Sequence, residues 1–293
     1  MSRPAVGIGL PIVGRYAGPE HIRLLATVAD RLGFSSVSLA ERLVLPGASD
    51  WSNDFGLPES PSYDALQTLG WVAAHTEQIA LRTDVLLPLF QNPVVVARRI
   101  ATLDHLSSGR VRVAMGIGWM PEEFAATGTP MARRGDRLEE CVAAVRACWG
   151  PDPVEHHGEH YDIPCTRIGP KPLRGTIPID IGALAPAAVE RAARIGDGFS
   201  VGFRDWDSTV EQLEAYRAAG GAGRVVVRAG PMRADARHAT PRTAFDEDHV
   251  LEDVGRLGEL GVDELIWDLN IVERPPQRQV EAYERLAAAL DRA

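Results

Sequence analysis

The chain has 293 residues, with 31 basic and 40 acidic side chains and a formal net charge of −9. This acidic balance, without a basic stripe, argues against a nucleic-acid partner or an anionic membrane surface. No window reaches the ~18 apolar residues that a membrane span needs. The length fits either two small domains or one barrel with insertions.

The N-terminus and the cysteines predict a cytoplasmic protein. The first apolar stretch is interrupted by Gly9, Pro11 and Gly14, which is not typical of a signal peptide. The three cysteines form no C-x-x-C motif, and this sparse, odd number favours free thiols in a reducing compartment. Cys141 and Cys148 lie seven residues apart in an apolar-periodic stretch, so we expect both in the core.

β-branched segments alternate with helical segments along the chain. The predicted strands are 5–10, 35–40, 79–86, 110–115, 177–181, 198–202, 224–229 and 264–269. The predicted helices after them are 19–32, 62–76, 93–106, segments within 121–149, then 186–195, 206–219, 248–260 and 275–290. This alternation indicates parallel strands joined by crossover helices, and several strands are apolar on both faces. Eight such units predict a (β/α)8 TIM barrel; an open doubly wound sheet is the alternative.

Two connections are longer than the others, and we interpret both as loop insertions within a single domain, 1–293. They are 45–60 after the second strand and about 150–176 after the fourth. The second contains a predicted hairpin with three histidines, His156, His157 and His160. No carboxylate–histidine pattern accompanies them, so we predict no metal site.

Charged residues stand at two strand ends, where the site of a parallel barrel lies. Glu41 and Arg42 follow the second strand, and a rim ion pair would explain them equally well. Asp84 lies inside the apolar third strand. A carboxylate there is costly unless it is hydrogen-bonded or lines a cavity, which makes Asp84 a candidate site residue.

Glycines and other small residues mark two further strand ends. Gly116 and Gly118 would let a flat ligand approach the backbone, but Pro121 occupies the sixth position of G-x-G-x-x-G and weakens a Rossmann interpretation. The other strand end is a loop of small residues that precedes a helix, and the N-terminus of a helix favours an anion. A tight packing turn would explain these residues equally well. Its residues are Gly182, Ala183, Leu184, Ala185 and Pro186.

The run 83–128 resembles the diagnostic core of the luciferase-like, flavin-dependent oxidoreductases. It contains T-x-V at a strand end, N-P before a helix, then L-D-x-L-S-S-G-R, G-x-G-W and E-E-F. Residues 33–37, 63–64 and 196–199 agree with the same family, so the resemblance spans nearly the whole chain. It implies a (β/α)8 barrel that binds FMN or the deazaflavin coenzyme F420 at its C-terminal face.

The resemblance also implies roles for individual residues. The family's ring-contacting bulge, often a non-proline cis peptide, falls at Asp84-Val85, and its strand 2 acid falls at Glu41. The phosphate-side loop corresponds to 182–186, so we expect Gly182→Val to block cofactor entry and leave the fold intact. The remaining cofactor contacts fall on the glycine strand end and its followers, Gly116, Gly118, Trp119, Glu122 and Glu123.

Two residues depart from the family pattern. Arg42 stands where many deazaflavin-dependent members carry a histidine that acts as proton donor or base. Arginine stays protonated, so it would instead stabilise an anionic reduced ring or an oxyanion. Trp119 replaces a glutamate of several sugar-phosphate-oxidising relatives and argues against that substrate class. The bulky apolar side chains of Trp119, Trp51, Phe55 and Phe90 indicate an apolar substrate surface.

The resemblance predicts hydride transfer to or from a small organic substrate, with Glu41 and Arg42 as catalytic residues. Coenzyme F420 is favoured over FMN because the Ala-, Arg- and Gly-rich composition is typical of actinobacterial proteins, in which this family often uses F420. The alternatives are an FMNH2-dependent monooxygenase supplied by a separate reductase, and a barrel that only binds a small molecule. From the resemblance alone we expect a homodimer or a higher homo-oligomer.

Overall fold

Eight parallel strands close into a barrel in the computed structural model, which describes residues 3–47, 51, 62–231 and 244–292. In chain order the barrel strands are β1 (Ala5–Gly9), β2 (Ser36–Leu39), β3 (Ala80–Thr83), β4 (Val111–Met115), β7 (Ile179–Gly182), β8 (Gly198–Gly202), β9 (Arg224–Ala229) and β10 (Glu264–Trp267). The first strand pairs in parallel with both β2 and β10, which closes the ring. The predicted (β/α)8 fold is therefore confirmed, and the open doubly wound sheet is excluded.

Helices follow the strands around the barrel. They are α1 (Pro19–Arg31), α2 (Ala65–Ala73), α3 (Pro93–Leu106), α4 (Pro121–Thr127), α5 (Arg134–Trp149), α6 (Pro186–Ile195), α7 (Trp206–Ala218), α8 (Val250–Glu259) and α9 (Pro276–Leu290). Cys141 and Cys148 are buried on α5, as the sequence predicts. No helix in the described part of the chain is long and apolar enough to cross a bilayer.

Local signals set the helix boundaries. The side chain of Asn92 accepts a hydrogen bond from the Val94 N–H at 2.9 Å and so begins α3, while Asp64 caps α2 in the same way at 2.8 Å. The helix α2 begins three residues later than predicted because this cap starts it after Asp64, and it also ends three residues earlier, at Ala73. At the other end of α3, Gly109 adopts a φ of +82°, a conformation that favours glycine and stops the helix before β4.

The predicted hairpin lies between α5 and β7. Its strands, β5 (Val154–His157) and β6 (Asp162–Thr166), pair antiparallel. The Glu140 carboxylate of α5 accepts backbone N–H bonds from Glu159, His160 and Tyr161 and fixes the hairpin tip to the barrel wall. Most of the other predicted insertion, 48–50 and 52–60, lies outside the described residues, and Phe55 lies there too.

The barrel interior is charged, contrary to the apolar interior that the strand compositions suggest. Arg82 of β3 is 1% exposed, and its Nη1 lies 2.7 Å from Asp180 Oδ2 and its Nε 3.7 Å from Asp84 Oδ2. One layer nearer the N-terminal mouth, the buried Glu264 accepts hydrogen bonds from Ser36 at 2.7 Å and Arg224 at 2.8 Å. Buried charges are tolerated when they are paired in this way, so alternate strand positions carry ion pairs into the core.

Candidate active site

A cavity of about 200 Å³ opens at the C-terminal ends of the barrel strands. Residues at or beyond the ends of β1, β2, β3, β4, β9 and β10 surround it. The lining residues are Leu10, Ile12, Val13, Ala40, Glu41, Arg42, Ser62, Asp84, Val85, Leu87, Trp119, Met120, Glu123, Arg228, Asp268 and Asn270. Apolar walls with a few converging charged groups are typical of a small-molecule site.

The Asp84-Val85 peptide bond is cis and lies at this cavity. The third strand ends at Thr83, three residues before the predicted end, and the chain bulges before Leu86 rejoins β4 in an isolated bridge with Met115. The Asp84 N–H donates to the Leu39 carbonyl at 2.7 Å, so the bulge stays bonded to the end of β2. The resemblance placed the cis peptide correctly.

Gly116 and Gly182 accommodate the Val85 side chain. A Cβ on Gly116 would lie 2.5 Å from Val85 Cγ2, and a Cβ on Gly182 would lie 2.5 Å from Val85 Cγ1. Neither glycine lines the cavity itself. The side chain of Gly182→Val would collide with Val85 and displace the bulge, and a block of cofactor entry with an intact fold stays a prediction for this variant.

The Asp84 carboxylate points into the barrel and away from the cavity. It accepts a hydrogen bond from Ser200 Oγ and lies beside Arg82, so the cost of a carboxylate in this apolar run is offset by two buried polar partners. The Asp84 backbone carbonyl accepts a hydrogen bond from Arg228 Nη1 at 3.0 Å. The backbone is thus the part of Asp84 available to a ligand.

Glu41 is the lining residue best suited to move a proton. Its carboxylate accepts the Leu87 N–H at 2.6 Å, and its own N–H donates to the Val85 carbonyl at 3.1 Å. Burial raises the pKa of Glu41 to about 7, while the hydrogen bond from Leu87 opposes that rise. A carboxyl group with a pKa near neutrality can both take and give a proton at physiological pH.

Arg42 and Glu123 complete the charged part of the cavity wall. The Glu123 carboxylate is buried and accepts the Leu43 N–H at 2.7 Å. Burial raises the pKa of Glu123, and the Arg42 charge opposes this. Burial lowers the pKa of the half-buried Arg42, and Glu123 opposes that shift in turn. The two groups therefore stabilise each other's charged forms next to Glu41.

Glu122, a predicted cofactor contact, does not line the cavity, whereas Glu123 does. Both are in the first turn of α4, where consecutive side chains point about 100° apart, so only one can face the barrel mouth. Trp119 does line the cavity and is 39% exposed. Gly118, with a φ of +73°, packs next to Phe90 and Phe124 and does not line the cavity.

The predicted phosphate loop, 182–186, lies outside this cavity lining. Ala183 is buried and donates its N–H to the Ser200 carbonyl at 3.3 Å, whereas Leu184 is 40% exposed. Ala185 caps α6, and Pro186 is its first residue. A phosphate-binding role for this loop stays a prediction. Trp51 and Phe90, predicted as apolar substrate contacts, do not line the cavity either.

Sequence reasoning did not select Arg228, Asp268 and Asn270 as site residues, although all three line the cavity. A signal for Arg228 was present, because Arg224 and Arg228 stand four residues apart in a β-branched strand and so share one face. Like Asp84, Arg224 and Arg228 are charged side chains in an apolar strand, so the argument that selected Asp84 applies to both arginines. Asp268 lies within the predicted strand 264–269, and Asn270 immediately follows it.

The pocket has apolar walls with a few charged groups and lies at the C-terminal mouth of a (β/α)8 barrel, which is where the active sites of enzymes with this fold lie. The sequence model of the family described as luciferase-like monooxygenase matches residues 7–252. The chain therefore belongs to this family, whose members are flavin- or F420-dependent oxidoreductases or monooxygenases.

Individual proteins resemble this chain in sequence or in fold. An uncharacterized protein of Mycobacterium tuberculosis is 32% identical over 279 residues, covering 90% of this chain and 92% of the relative. An F420-dependent glucose-6-phosphate dehydrogenase of Nakamurella multipartita is 32% identical over 202 residues, covering 68% of this chain and 57% of the relative. The crystal structure of monooxygenase RslO1 from Streptomyces bottropensis superimposes with a TM-score of 0.78 at 22% identity, covering 97% of this chain and 98% of that one, and supports the fold.

Proposed function

We propose that the protein catalyses coenzyme F420-dependent hydride transfer to or from a small organic substrate, with Glu41 as the group that exchanges the proton. The observation that carries this proposal is the position of Glu41, a buried carboxyl group with a pKa of about 7, beside the Asp84-Val85 bulge. The relative named as an F420-dependent dehydrogenase favours F420 over FMN.

The residues around the cavity fit a flat heterocycle. Val85 and the Asp84-Val85 peptide would support one face of the ring, and Arg228 offers a cationic edge. The bound cofactor would supply the hydride chemistry, while the protein supplies orientation and electrostatics. We place the anionic tail at 182–186, where small residues precede a helix N-terminus.

The lining favours a substrate with an apolar body and one hydroxyl or carbonyl group. Leu10, Ile12, Met120 and Trp119 provide apolar contacts. In the oxidative direction, the substrate C–H bond would break and its electron pair would leave with the hydrogen as hydride, which the bound oxidised cofactor would accept. The hydroxyl proton passes to the Glu41 carboxylate, which leaves a carbonyl group. Arg42 would stabilise the developing oxyanion.

Anaerobic titration with F420 and FMN, each oxidised and reduced, tests the cofactor assignment. We expect micromolar binding of F420, detected by fluorescence, and no comparable binding of FMN. In the Glu41→Gln variant we expect unchanged F420 affinity but loss of turnover and of the pH dependence near 7. The matched control is Glu140→Gln, which removes a carboxylate that binds the hairpin outside the cavity. Equal turnover in Glu41→Gln and the parent would refute the role of Glu41.

An FMNH2-dependent monooxygenase is the second candidate, favoured by the description of the matching family. It requires tight binding of FMNH2, consumption of O2 and a separate reductase as partner. An oxygen electrode with chemically reduced FMN distinguishes it from hydride transfer. Binding of neither cofactor would favour a non-catalytic small-molecule-binding barrel. We also propose a homodimer or higher homo-oligomer, which a monomeric mass by light scattering would refute.

A further inference from the structure

Arg228 connects the bulged peptide to a buried carboxylate on the opposite side of the cavity mouth. Its Nη1 donates to the Asp84 carbonyl at 3.0 Å, and its Nε donates to Asp268 Oδ2 at 3.1 Å. Its Nη2 donates to the same Asp268 oxygen. The Arg228 side chain is 25% exposed, whereas that of Asp268 is 2% exposed. The bulge is therefore held by a charged side chain from β9 as well as by the neighbouring strands.

A chain of hydrogen bonds from α9 fixes Asp268 and with it Arg228. Asp268 Oδ1 accepts the backbone N–H of Asn270 at 2.9 Å and its Nδ2 at 2.8 Å. Asn270 Oδ1 accepts Gln279 Nε2 at 3.0 Å, and Gln279 Oε1 accepts the hydroxyl of Tyr283 at 2.9 Å. Because Gln279 and Tyr283 are fully buried, the guanidinium plane is held by a rigid support.

The guanidinium keeps donors for a ligand. It has five N–H groups, and the bonds to Asp84 and Asp268 use three of them. Arg228 lines the cavity, so one N–H group on Nη1 and one on Nη2 are available to a molecule that enters it. No other described arginine both lines the cavity and bonds the bulged peptide.

We propose that Arg228 is a positioning residue that fixes the Asp84-Val85 peptide and presents its remaining N–H groups to a charged oxygen of the ring, which makes the site prefer the reduced cofactor. This inference rests on the proposed function. A hydride carries one negative charge, so a ring that accepts it gains a unit of negative charge that spreads onto its carbonyl oxygens. A fixed guanidinium stabilises that charge more than it stabilises the oxidised ring.

The test replaces both members of the Arg228–Asp268 ion pair by neutral groups, Arg228→Gln together with Asp268→Asn. Removing both charges avoids leaving Asp268 buried without a partner, which is strongly destabilising. The matched control is Arg224→Gln together with Glu264→Gln. Arg224 lies on the same face of the same strand and pairs with a buried carboxylate at the other end of the barrel, away from the cavity. Arg228→Lys, which keeps the charge without the planar fork, is a third variant.

The readout is the ratio of the dissociation constants of oxidised and reduced F420, measured anaerobically together with the midpoint potential. We expect reduced F420 to bind at least tenfold more weakly in the Arg228/Asp268 variant, with less than threefold change for oxidised F420. A tenfold change in this ratio lowers the midpoint potential of bound F420 by about 30 mV for a two-electron couple. The Arg224/Glu264 variant should keep the parent ratio, and Arg228→Lys should recover part of it.

Equal weakening of both redox forms would overturn the proposal, since it would leave Arg228 a purely structural role. An unchanged ratio in the Arg228/Asp268 variant would overturn it as well. Failure of the parent protein to bind F420 in either form would overturn the proposed function itself. The two failures are therefore distinguishable.

Discussion

The contact between Gly182 and Val85 gives the sharpest mutational test of the site. Gly182→Ala introduces a Cβ only 2.5 Å from Val85 Cγ1, whereas carbon atoms in good contact are about 3.5–4.0 Å apart. The Val85 methyl would have to retreat by about 1 Å. Overpacking of this kind costs about 1–3 kcal/mol of stability, and a shift of this size in a site can lower turnover about 10²-fold.

A double-mutant cycle isolates this contact. Val85→Ala removes both methyl groups of Val85 and should cost about 1 kcal/mol, because Val85 is half-buried. Since the colliding atom is then absent, Gly182→Ala should add little to Val85→Ala. We therefore expect an interaction free energy of about −1 to −3 kcal/mol, measured by urea unfolding.

Gly202→Ala is the control, because a Cβ there would meet Leu184 Cδ2 at an ordinary 3.8 Å. It tests the general effect of replacing a glycine at a strand end, and we expect less than about 0.5 kcal/mol. An interaction free energy between Gly182→Ala and Val85→Ala of less than about 0.5 kcal/mol would refute the packing argument. So would equal losses of stability in Gly182→Ala and Gly202→Ala.

Three further predictions follow from the buried charges. Burial raises the pKa of Glu41 from its ordinary 4.5 to about 7, so the parent protein should lose stability as the pH rises from about 4.5 through 7. The Glu41→Gln variant should not show this loss when urea unfolding is measured between pH 4 and 8. Arg82→Met should lower the unfolding free energy by about 3–5 kcal/mol because it leaves buried carboxylates unpaired, whereas Arg194→Met, at an exposed ion pair, should cost less than about 1 kcal/mol; equal costs would contradict the reasoning. Arg82 Nε, Asp84 Oδ2 and Ser38 Oγ have no hydrogen-bond partner among the described residues, so a high-resolution crystal structure should show ordered water between them.

The order of the elements could be predicted from the sequence because it depends on short-range signals. The cap at Asn92 and the positive φ of Gly109 bound α3 at the predicted residues. The end of β3 could not be located by such signals. Residues 79–86 contain no glycine or proline that would mark a strand end, and the bulge at 84–85 depends on space left by glycines of two other strands. Only the family resemblance located it.

The site was partly predictable for the same reason. Asp84 is a charge within an apolar run, which is a local anomaly that a sequence displays, whereas Glu41 follows a strand and was selected by the family resemblance. The role of Gly116 is not local, since an absent Cβ does not show which side chain takes its place. The choice between Glu122 and Glu123 depends on the rotation of α4 relative to the barrel, which tertiary packing sets.

A crystal structure with bound F420 tests the central claim most directly, namely that the cavity beside the Asp84-Val85 peptide holds the redox ring. We predict the ring in van der Waals contact with Val85, with one of its oxygen atoms within about 3 Å of Arg228 and the Glu41 carboxyl facing the space left for substrate. A ring bound at another face of the barrel, or separated from Val85 by protein atoms, would contradict the account.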